Sequence, residues 1–269
     1  VTDTLLTDTR LQVYLPTPLK SGDSVKLHLS YLFSIPEYGT DRMGRLLKKQ
    51  GWIYEIAQWY PRVCVYDDVR GWNTDPYLGA GEFYLEYGNF DVTISAPRNH
   101  IVVAGGELKN PSEVLTSIQR ERLQKARSSE STVMIRTESE IGETSSRPSG
   151  NGNLNWHFTL DNARDFSWAS SASFIWDACS VKLPSGKSIL AMSVYPPESK
   201  GKKGWGRATE YTKGSIENYS KRWYEYPYPV AVNVASNVGG MEYPGIVFCG
   251  STAEGEGLFG VTRSEEHTS

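Results

Sequence analysis

The most informative segment of this sequence is Ala231-Val232-Asn233-Val234-Ala235-Ser236-Asn237-Val238-Gly239-Gly240-Met241-Glu242-Tyr243-Pro244-Gly245. Its first half predicts a short apolar strand, after which two adjacent glycines precede a single carboxylate. Because glycine has no Cβ, another extended chain can lie close against Gly239 and Gly240. Glu242 can then hold a positive group at the end of that chain, and a free peptide N-terminus has this shape. The segment predicts a site that recognises a peptide N-terminus; a β-bulge or turn is the alternative.

The motif Gly239-Gly240-Met241-Glu242 resembles the Gly-x-Met-Glu-Asn exopeptidase motif of the zinc aminopeptidases of the aminopeptidase N family. In that family the glutamate holds the α-amino group of the substrate, and the glycine backbone pairs with the substrate strand. The resemblance therefore implies that all four motif residues bind substrate, with Glu242 holding the ammonium. Tyr243 stands where the family motif has Asn, so the role of that side chain does not carry over.

A second segment resembles the N-terminal domain of the same family: Ile56-Ala57-Gln58-Trp59-Tyr60-Pro61-Arg62, followed by Tyr66-Asp67-Asp68. In the family a Gln or Glu there reaches across to help bind the amino group of the substrate. The resemblance implies this role for Gln58, and an ordinary strand residue is the alternative. Residues 162–169 resemble the segment that leads into the catalytic domain in members of the family. The resemblance spans most of residues 25–262.

Apolar periodicity predicts a mainly β chain with an α+β C-terminal part. Alternation predicts half-buried strands at residues 25–35, 90–94 and 154–160. Shorter apolar or aromatic runs predict further strands at residues 52–59, 101–104, 174–178 and 189–195.

Two helices complete the predicted elements. One begins at Asn110-Pro111 and continues through Leu123, and the other covers residues 208–223. We expect an antiparallel β-sandwich or saddle over residues 1–162. The resemblance implies that residues 163–262 are the truncated start of a thermolysin-like catalytic domain.

The resemblance implies zinc in the intact parent protein, but this chain lacks the ligands for it. A zinc peptidase carries His-Glu-x-x-His on a helix, and the histidines at 28, 100, 157 and 267 never have that spacing. In the family the zinc helix follows the Gly-x-Met-Glu motif, and we expect this chain to end before it. Residues 263–269, a polar run after an apolar one, are interpreted as a non-native tail.

These patterns predict a fragment of a bacterial zinc aminopeptidase, a hydrolase that removes N-terminal residues from peptides. The fragment is expected to form the wall that binds the substrate N-terminus, to bind no metal itself and to be inactive alone. The alternative is a non-enzymatic β-domain module that binds a peptide strand by β-augmentation or a glycan through its tryptophans.

Composition and charge exclude several other classes of protein. A formal net charge of −3 and a pI near 5.9 give no electrostatic basis for binding nucleic acid. No apolar run approaches the roughly 20 residues of a membrane-spanning helix. Three cysteines are too few for a disulfide framework or a cysteine zinc site. These patterns do not indicate the cellular compartment. The location of family members in bacteria suggests a periplasmic or extracellular protein.

Overall fold

The structure is a computed structural model that describes residues 3–37, 42–79, 81–201 and 204–268. Of residues 267 and 268 it describes the backbone alone. The strands, in chain order, are β1 (Asp3–Thr7), β2 (Arg10–Tyr14), β3 (Met43–Lys48), β4 (Gly51–Ile56), β5 (Tyr66–Asp67), β6 (Gly71–Trp72), β7 (Gly88–Pro97), β8 (Ile101–Ala104), β9 (Glu107–Leu108), β10 (Val133–Arg136), β11 (Asn153–Ala163), β12 (Trp168–Ser171), β13 (Ile175–Lys182), β14 (Ser188–Tyr195), β15 (Val230–Ser236), β16 (Gly240–Tyr243) and β17 (Ile246–Gly250). The α-helices are α1 (Pro111–Val114), α2 (Ser117–Ala126), α3 (Ala208–Arg222) and α4 (Gly255–Thr268). The prediction of a mainly β fold with an α+β C-terminal part is confirmed.

The chain divides into two compact units, of which the smaller comprises Val1–Ser34 and Pro61–Glu86. Its regular structure consists of the antiparallel pairs β1–β2 and β5–β6. The predicted strand at residues 25–35 is wrong. Its apolar side chains Leu27 and Phe33 are 49% and 42% exposed, and no described strand pairs with this segment. Alternation produces a strand only where a neighbouring strand supplies the ladder of hydrogen bonds.

The larger unit comprises Ile35–Tyr60 and Tyr87–Ser269, and its main sheet has six strands in the order β10-β13-β14-β15-β17-β16. The strands β14, β15 and β17 run parallel, whereas β16 returns antiparallel to β17. The helix α3 makes the crossover from β14 to β15, as a parallel pair requires. Its bounds confirm the helix predicted over residues 208–223.

A core of apolar side chains fills the space between this sheet and its helices. Helix α4 packs on α3 and on the strands β16 and β17. The buried members include Trp205 from the segment before α3, Val247 from β17 and Leu258 from α4. Each of these side chains is completely or almost completely removed from water, which stabilises the folded chain by roughly 1.5–3 kcal/mol per side chain. This packing fixes α4 beside the edge strand β16.

Two smaller antiparallel sheets, β7-β11-β9 and β3-β4-β12-β8, complete the larger unit. The strands predicted at residues 90–94, 101–104 and 154–160 lie in them, and the strand predicted at 52–59 is β4, which ends earlier, at Ile56. The single helix predicted from Asn110 is two helices, because Leu115 is extended and Thr116 begins α2 with a capping box to Gln119. A reciprocal cap of this kind starts a new helix at Thr116.

The predicted domain boundary and tail fall within regular elements. Residue 162 lies in β11, and the two compact units divide the chain at other positions. Residues 263–268 form the second half of α4. The division at 162 and the non-native origin of residues 263–269 stay predictions. Among the described residues, the helices are all too short or too polar to cross a membrane.

The turn between β16 and β17 depends on a close backbone approach. Gly245 has a φ of +77°, and a Cβ there would overlap the carbonyl of Gly105. We expect Gly245→Ala to lower the free energy of unfolding by about 2–3 kcal/mol, measured by urea denaturation. The control is Gly214→Ala inside α3, where a Cβ would meet open space. Because alanine is favoured over glycine within a helix, this substitution should raise the free energy of unfolding by about 0.5–1 kcal/mol. Equal effects at both positions would contradict this explanation of the turn.

Candidate functional site

The predicted motif lies on the edge strand of the six-stranded sheet. The strand β16 contains Gly240, Met241 and Glu242, and β17 is its partner in the described sheet. An edge strand presents backbone N–H and C=O groups with which an extended peptide can pair. Side chains alternate along a strand, so Gly240 and Glu242 share one face, while Met241 is buried against the core.

The two motif glycines have different surroundings. A Cβ at Gly239 would meet nothing within 4 Å, which leaves the open space that a bound chain needs. A Cβ at Gly240 would lie 2.7 Å from Glu265 Oε1 and 3.1 Å from Val261 Cγ2, both on α4. A Cβ at Gly240 would therefore force these two α4 side chains to shift, whereas the space beside Gly239 is open to a ligand.

Glu242 interacts with a second carboxylate from α4. Burial, followed by a hydrogen bond to Glu242 and its charge, raises the pKa of Glu265 to about 7. The Glu265 carboxyl is therefore partly protonated at neutral pH, because a second negative charge so close to Glu242 is unfavourable. An ammonium group could take the place of that proton. Glu265 falls in the predicted tail, so sequence analysis did not consider it.

The next residue of α4 is also an acid. Burial, together with the charge of Glu265, raises the pKa of Glu266 to about 8. This side chain is only 4% exposed, so its carboxyl is mainly protonated at neutral pH. Helix α4 thus brings one partly exposed and one buried carboxyl to the side of β16.

Gln58 lies immediately beyond the end of β4 in a left-handed backbone conformation, with a φ of +50°. This conformation costs a residue with a Cβ about 1–2 kcal/mol, and such residues cluster at functional sites. The side-chain Nε2 of Gln58 donates to Tyr243 Oη at 3.5 Å. Tyr243 is buried, and its ring packs edge-on against Phe248. The structure therefore brings Gln58 to Tyr243, whose side chain lies on the face of β16 opposite that of Glu242.

A buried acid on β4, Glu55, was missed by sequence analysis. The residue is 2% exposed and lies close to Ser236, Asn237 and Val238, but neither of its carboxylate oxygens has a hydrogen-bond partner among the described residues. Burial raises its pKa to about 7, although these three groups oppose the shift. The available signal was a charged residue inside the apolar and aromatic strand Gly51–Ile56.

The described residues do not fit a zinc ion. They contain no group of three His, Cys, Asp or Glu side chains close enough to hold a metal. Two of the histidines have other partners, since His100 Nδ1 lies 2.8 Å from Ser170 Oγ and His157 Nε2 lies 2.9 Å from Asp91 Oδ1. Helix α4 follows the motif, but its sequence contains a single histidine and so no His pair four residues apart.

No protein-family model matches this chain, and a search of curated protein sequences finds no match either. Comparison with solved structures does find similar folds. A mutant of a two-domain M1 zinc metallopeptidase bound to L-arginine aligns with a TM-score of 0.53 at 13% identity, over 98% of this chain and 51% of that one. The chain shares its fold with an M1 zinc metallopeptidase.

Two further structures are similar over smaller shares. An M1 zinc metallopeptidase from Deinococcus radiodurans has a TM-score of 0.48 and 12% identity, over 94% of this chain and 48% of that one. Aminopeptidase A of Legionella pneumophila, in complex with aspartic acid, has a TM-score of 0.47 and 12% identity, over 85% of this chain and 23% of that one. The chain spans about half the length of the two M1 metallopeptidases.

Proposed function

We propose that this chain binds the free N-terminus of a peptide and is the substrate-binding wall of a zinc-dependent aminopeptidase of the aminopeptidase N type. The observation that carries the proposal is the place of Glu242. Its carboxylate lies on an edge strand, two residues after Gly240 and three after the open backbone of Gly239. This arrangement puts a negative charge at one end of a surface that pairs with extended peptides.

The ammonium group of the peptide is the part that Glu242 recognises. A charge-assisted hydrogen bond between an ammonium and a carboxylate contributes about 1.5–3 kcal/mol. The raised pKa of Glu265, caused in part by the charge of Glu242, indicates that positive charge is favourable beside Glu242. Because Glu265 belongs to the predicted non-native tail, we assign recognition of the ammonium to Glu242 and not to Glu265.

Gln58 is the second residue of the proposed site. Its left-handed backbone and its hydrogen bond to Tyr243 hold the side-chain amide beside the residue that follows Glu242. The amide oxygen of glutamine accepts hydrogen bonds and can receive one from an ammonium. Met241 packs into the core on one face of β16. Gly240, which has no side chain, lets α4 lie close to the other face.

The M1 neighbour supports the choice of ligand. The structure with the TM-score of 0.53 is bound to L-arginine, a molecule that carries a free α-ammonium. Peptide hydrolysis itself, and the zinc it needs, are proposed for the longer parent protein, in line with the M1 fold. The present chain is proposed to bind the N-terminus without cleaving the peptide, in a periplasmic or extracellular setting.

The test is a pair of peptides that differ only at the N-terminus. The full 269-residue chain is titrated with a fluorescent alanine-rich tripeptide and with its N-acetylated form. We expect the free-amine peptide to bind at least roughly tenfold more tightly, as one charge-assisted hydrogen bond requires. Equal affinities would refute recognition of the N-terminus.

A second candidate function is favoured by the edge position of β16. A binding module that adds a peptide strand by backbone pairing would use the same edge without recognising a terminus. Such a module binds the acetylated peptide as well as the free one. The same titration therefore separates the two functions.

A further inference from the structure

We propose that the guanidinium of Arg136 forms the main part of a binding site for a phosphate-type oxyanion, with Arg147 and His100 beside it. Arg136 is the last residue of β10 and is only 2% exposed. A buried charge is costly unless an opposite charge compensates it, and arginine is rarely buried without such a partner. The site does not depend on the proposed recognition of a peptide N-terminus.

The hydrogen-bond partners of Arg136 supply no negative charge. Its Nη1 donates to two backbone carbonyls, that of Ala172 at 3.0 Å and that of Phe174 at 3.4 Å. No ion pair joins Arg136 to a carboxylate of the described residues. Its Nε is buried and has no hydrogen-bond partner among these residues. The edge formed by Nε and Nη2 is therefore left for a ligand, and this edge of a guanidinium binds two oxygens of an oxyanion at once.

The carboxylate of Glu140, whose charge acts on Arg136, is held by other groups. Both of its oxygens lie 2.8 Å from Arg122 Nη1. Its Oε2 also accepts from the backbone N–H of Thr137 at 2.7 Å and from the hydroxyl of that residue at 2.9 Å. Burial lowers the pKa of Arg136 to about 10, although the charge of Glu140 opposes this shift. The guanidinium therefore stays charged at neutral pH, while the only carboxylate that acts on it is already neutralised by Arg122.

Helix α2 brings Arg147 to the same region as Arg136. Gln119 Nε2 donates at 2.9 Å to the carbonyl of the residue before Arg147. One turn later on α2, Arg122 Nη1 donates at 3.2 Å to the carbonyl of the residue before Arg136. Side chains one turn apart lie on the same face of a helix, so the two arginines follow neighbouring points of attachment. The charge of Arg147 acts to lower the pKa of Arg136, in agreement with this arrangement.

The third basic group is the imidazole of His100. Its Nδ1 lies 2.8 Å from Ser170 Oγ. Two residues after that serine is Ala172, whose carbonyl accepts from the Arg136 guanidinium. Burial, together with the charge of Arg136, lowers the pKa of His100 to about 4. In the tautomer in which Nδ1 accepts from the serine hydroxyl, Nε2–H of the neutral ring can donate to a ligand oxygen.

The charge of these groups favours phosphate over a carboxylate as the ligand. Arg136 and Arg147 bring two positive charges, and His100 adds a neutral donor. A phosphate group carries about two negative charges at neutral pH and has several strong acceptor oxygens. A carboxylate carries a single charge and two oxygens. A phosphate group can therefore compensate both arginines and accept from all three side chains.

The test is a titration of the full chain with inorganic phosphate at pH 7, compared with sodium chloride at the same ionic strength. The Nε–Hε NMR signal of Arg136 reports binding at the proposed site. We expect this signal to shift and saturate with a Kd of about 1 mM, and 10 mM phosphate (about ten times that Kd) to raise Tm by roughly 3–6 °C. Acetate should bind at least about tenfold more weakly. Equal effects of phosphate and chloride would overturn the site, and equal binding of acetate would overturn its assignment to phosphate.

Substitutions locate the site. Arg136→Lys keeps the charge but loses the two-pronged edge, so the affinity for phosphate should fall at least about tenfold. Should this variant not fold, Arg147→Gln removes a partly buried charge and should weaken binding by roughly threefold or more. The matched control is Arg207→Gln, because Arg207 is exposed and pairs with Glu210 at 2.9 Å. We expect the control to bind phosphate as the unaltered chain does. Unaltered affinity in Arg136→Lys, or in Arg147→Gln where the first variant does not fold, would overturn the proposal.

Discussion

Replacing Glu242 by Gln lowers the affinity of this chain for a free-amine peptide by about 10- to 150-fold, the equivalent of 1.5–3 kcal/mol. The substitution keeps the size and hydrogen-bonding capacity of the side chain but removes its negative charge. Glu242 is only partly buried at the edge of its sheet, so the fold should tolerate the change. Fluorescence titration with the free and acetylated tripeptides measures the effect.

The control for Glu242 is Glu256→Gln in the first turn of α4. That residue is an exposed glutamate, and its replacement removes the same charge from the same half of the chain. We expect it to leave both affinities unchanged. If both variants weaken binding equally, the attraction is a general effect of net charge, and the specific role of Glu242 is wrong.

The second large effect is on stability as a function of pH. Burial raises the pKa of Asp177 and Glu55 to about 7 and that of Glu266 to about 8. In the unfolded chain these groups return to the ordinary values of about 4. Between pH 4 and pH 7–8 the folded chain therefore binds more protons than the unfolded chain. Stability must fall as the pH rises through this interval.

A difference of one pKa unit between the folded and unfolded chain is worth about 1.4 kcal/mol. Even one of the three acids should then raise Tm by roughly 3–6 °C when the pH is lowered from 8 to 5.5. His100 has the opposite effect on stability below pH 6.5, because burial and the charge of Arg136 lower its pKa to about 4. Differential scanning calorimetry measures the effect, and Asp177→Asn should flatten it. A Tm that rises with pH over this interval would contradict the argument.

Much of the larger unit could be predicted because its local patterns agree with its packing. The run at 101–104 was predicted as a short apolar strand and is a fully buried strand in the structure, and the helix over 208–223 differs by one residue at its end. The segment after β15 was predicted as the ligand-binding stretch from its glycines and its lone carboxylate. Its position on a sheet edge depends on strand order, which adjacent residues do not encode.

The errors share a physical cause, which is dependence on distant partners. Alternation at residues 25–35 predicted a strand, but a strand also needs a neighbour to pair with. Helix α4 lies beside Gly240, and neighbouring residues in the sequence do not reveal this contact. Glu55 is buried close to Ser236, which lies far away in the sequence. Such contacts are decided by how the sheets pack together.

The most direct test of the central claim is a crystal structure of the chain with a free-amine tripeptide. We expect a peptide nitrogen about 2.7–3.2 Å from a carboxylate oxygen of Glu242, with the peptide extended along β16 beside Gly239. A tripeptide whose N-terminus points into solvent, or that binds away from this strand, would contradict it.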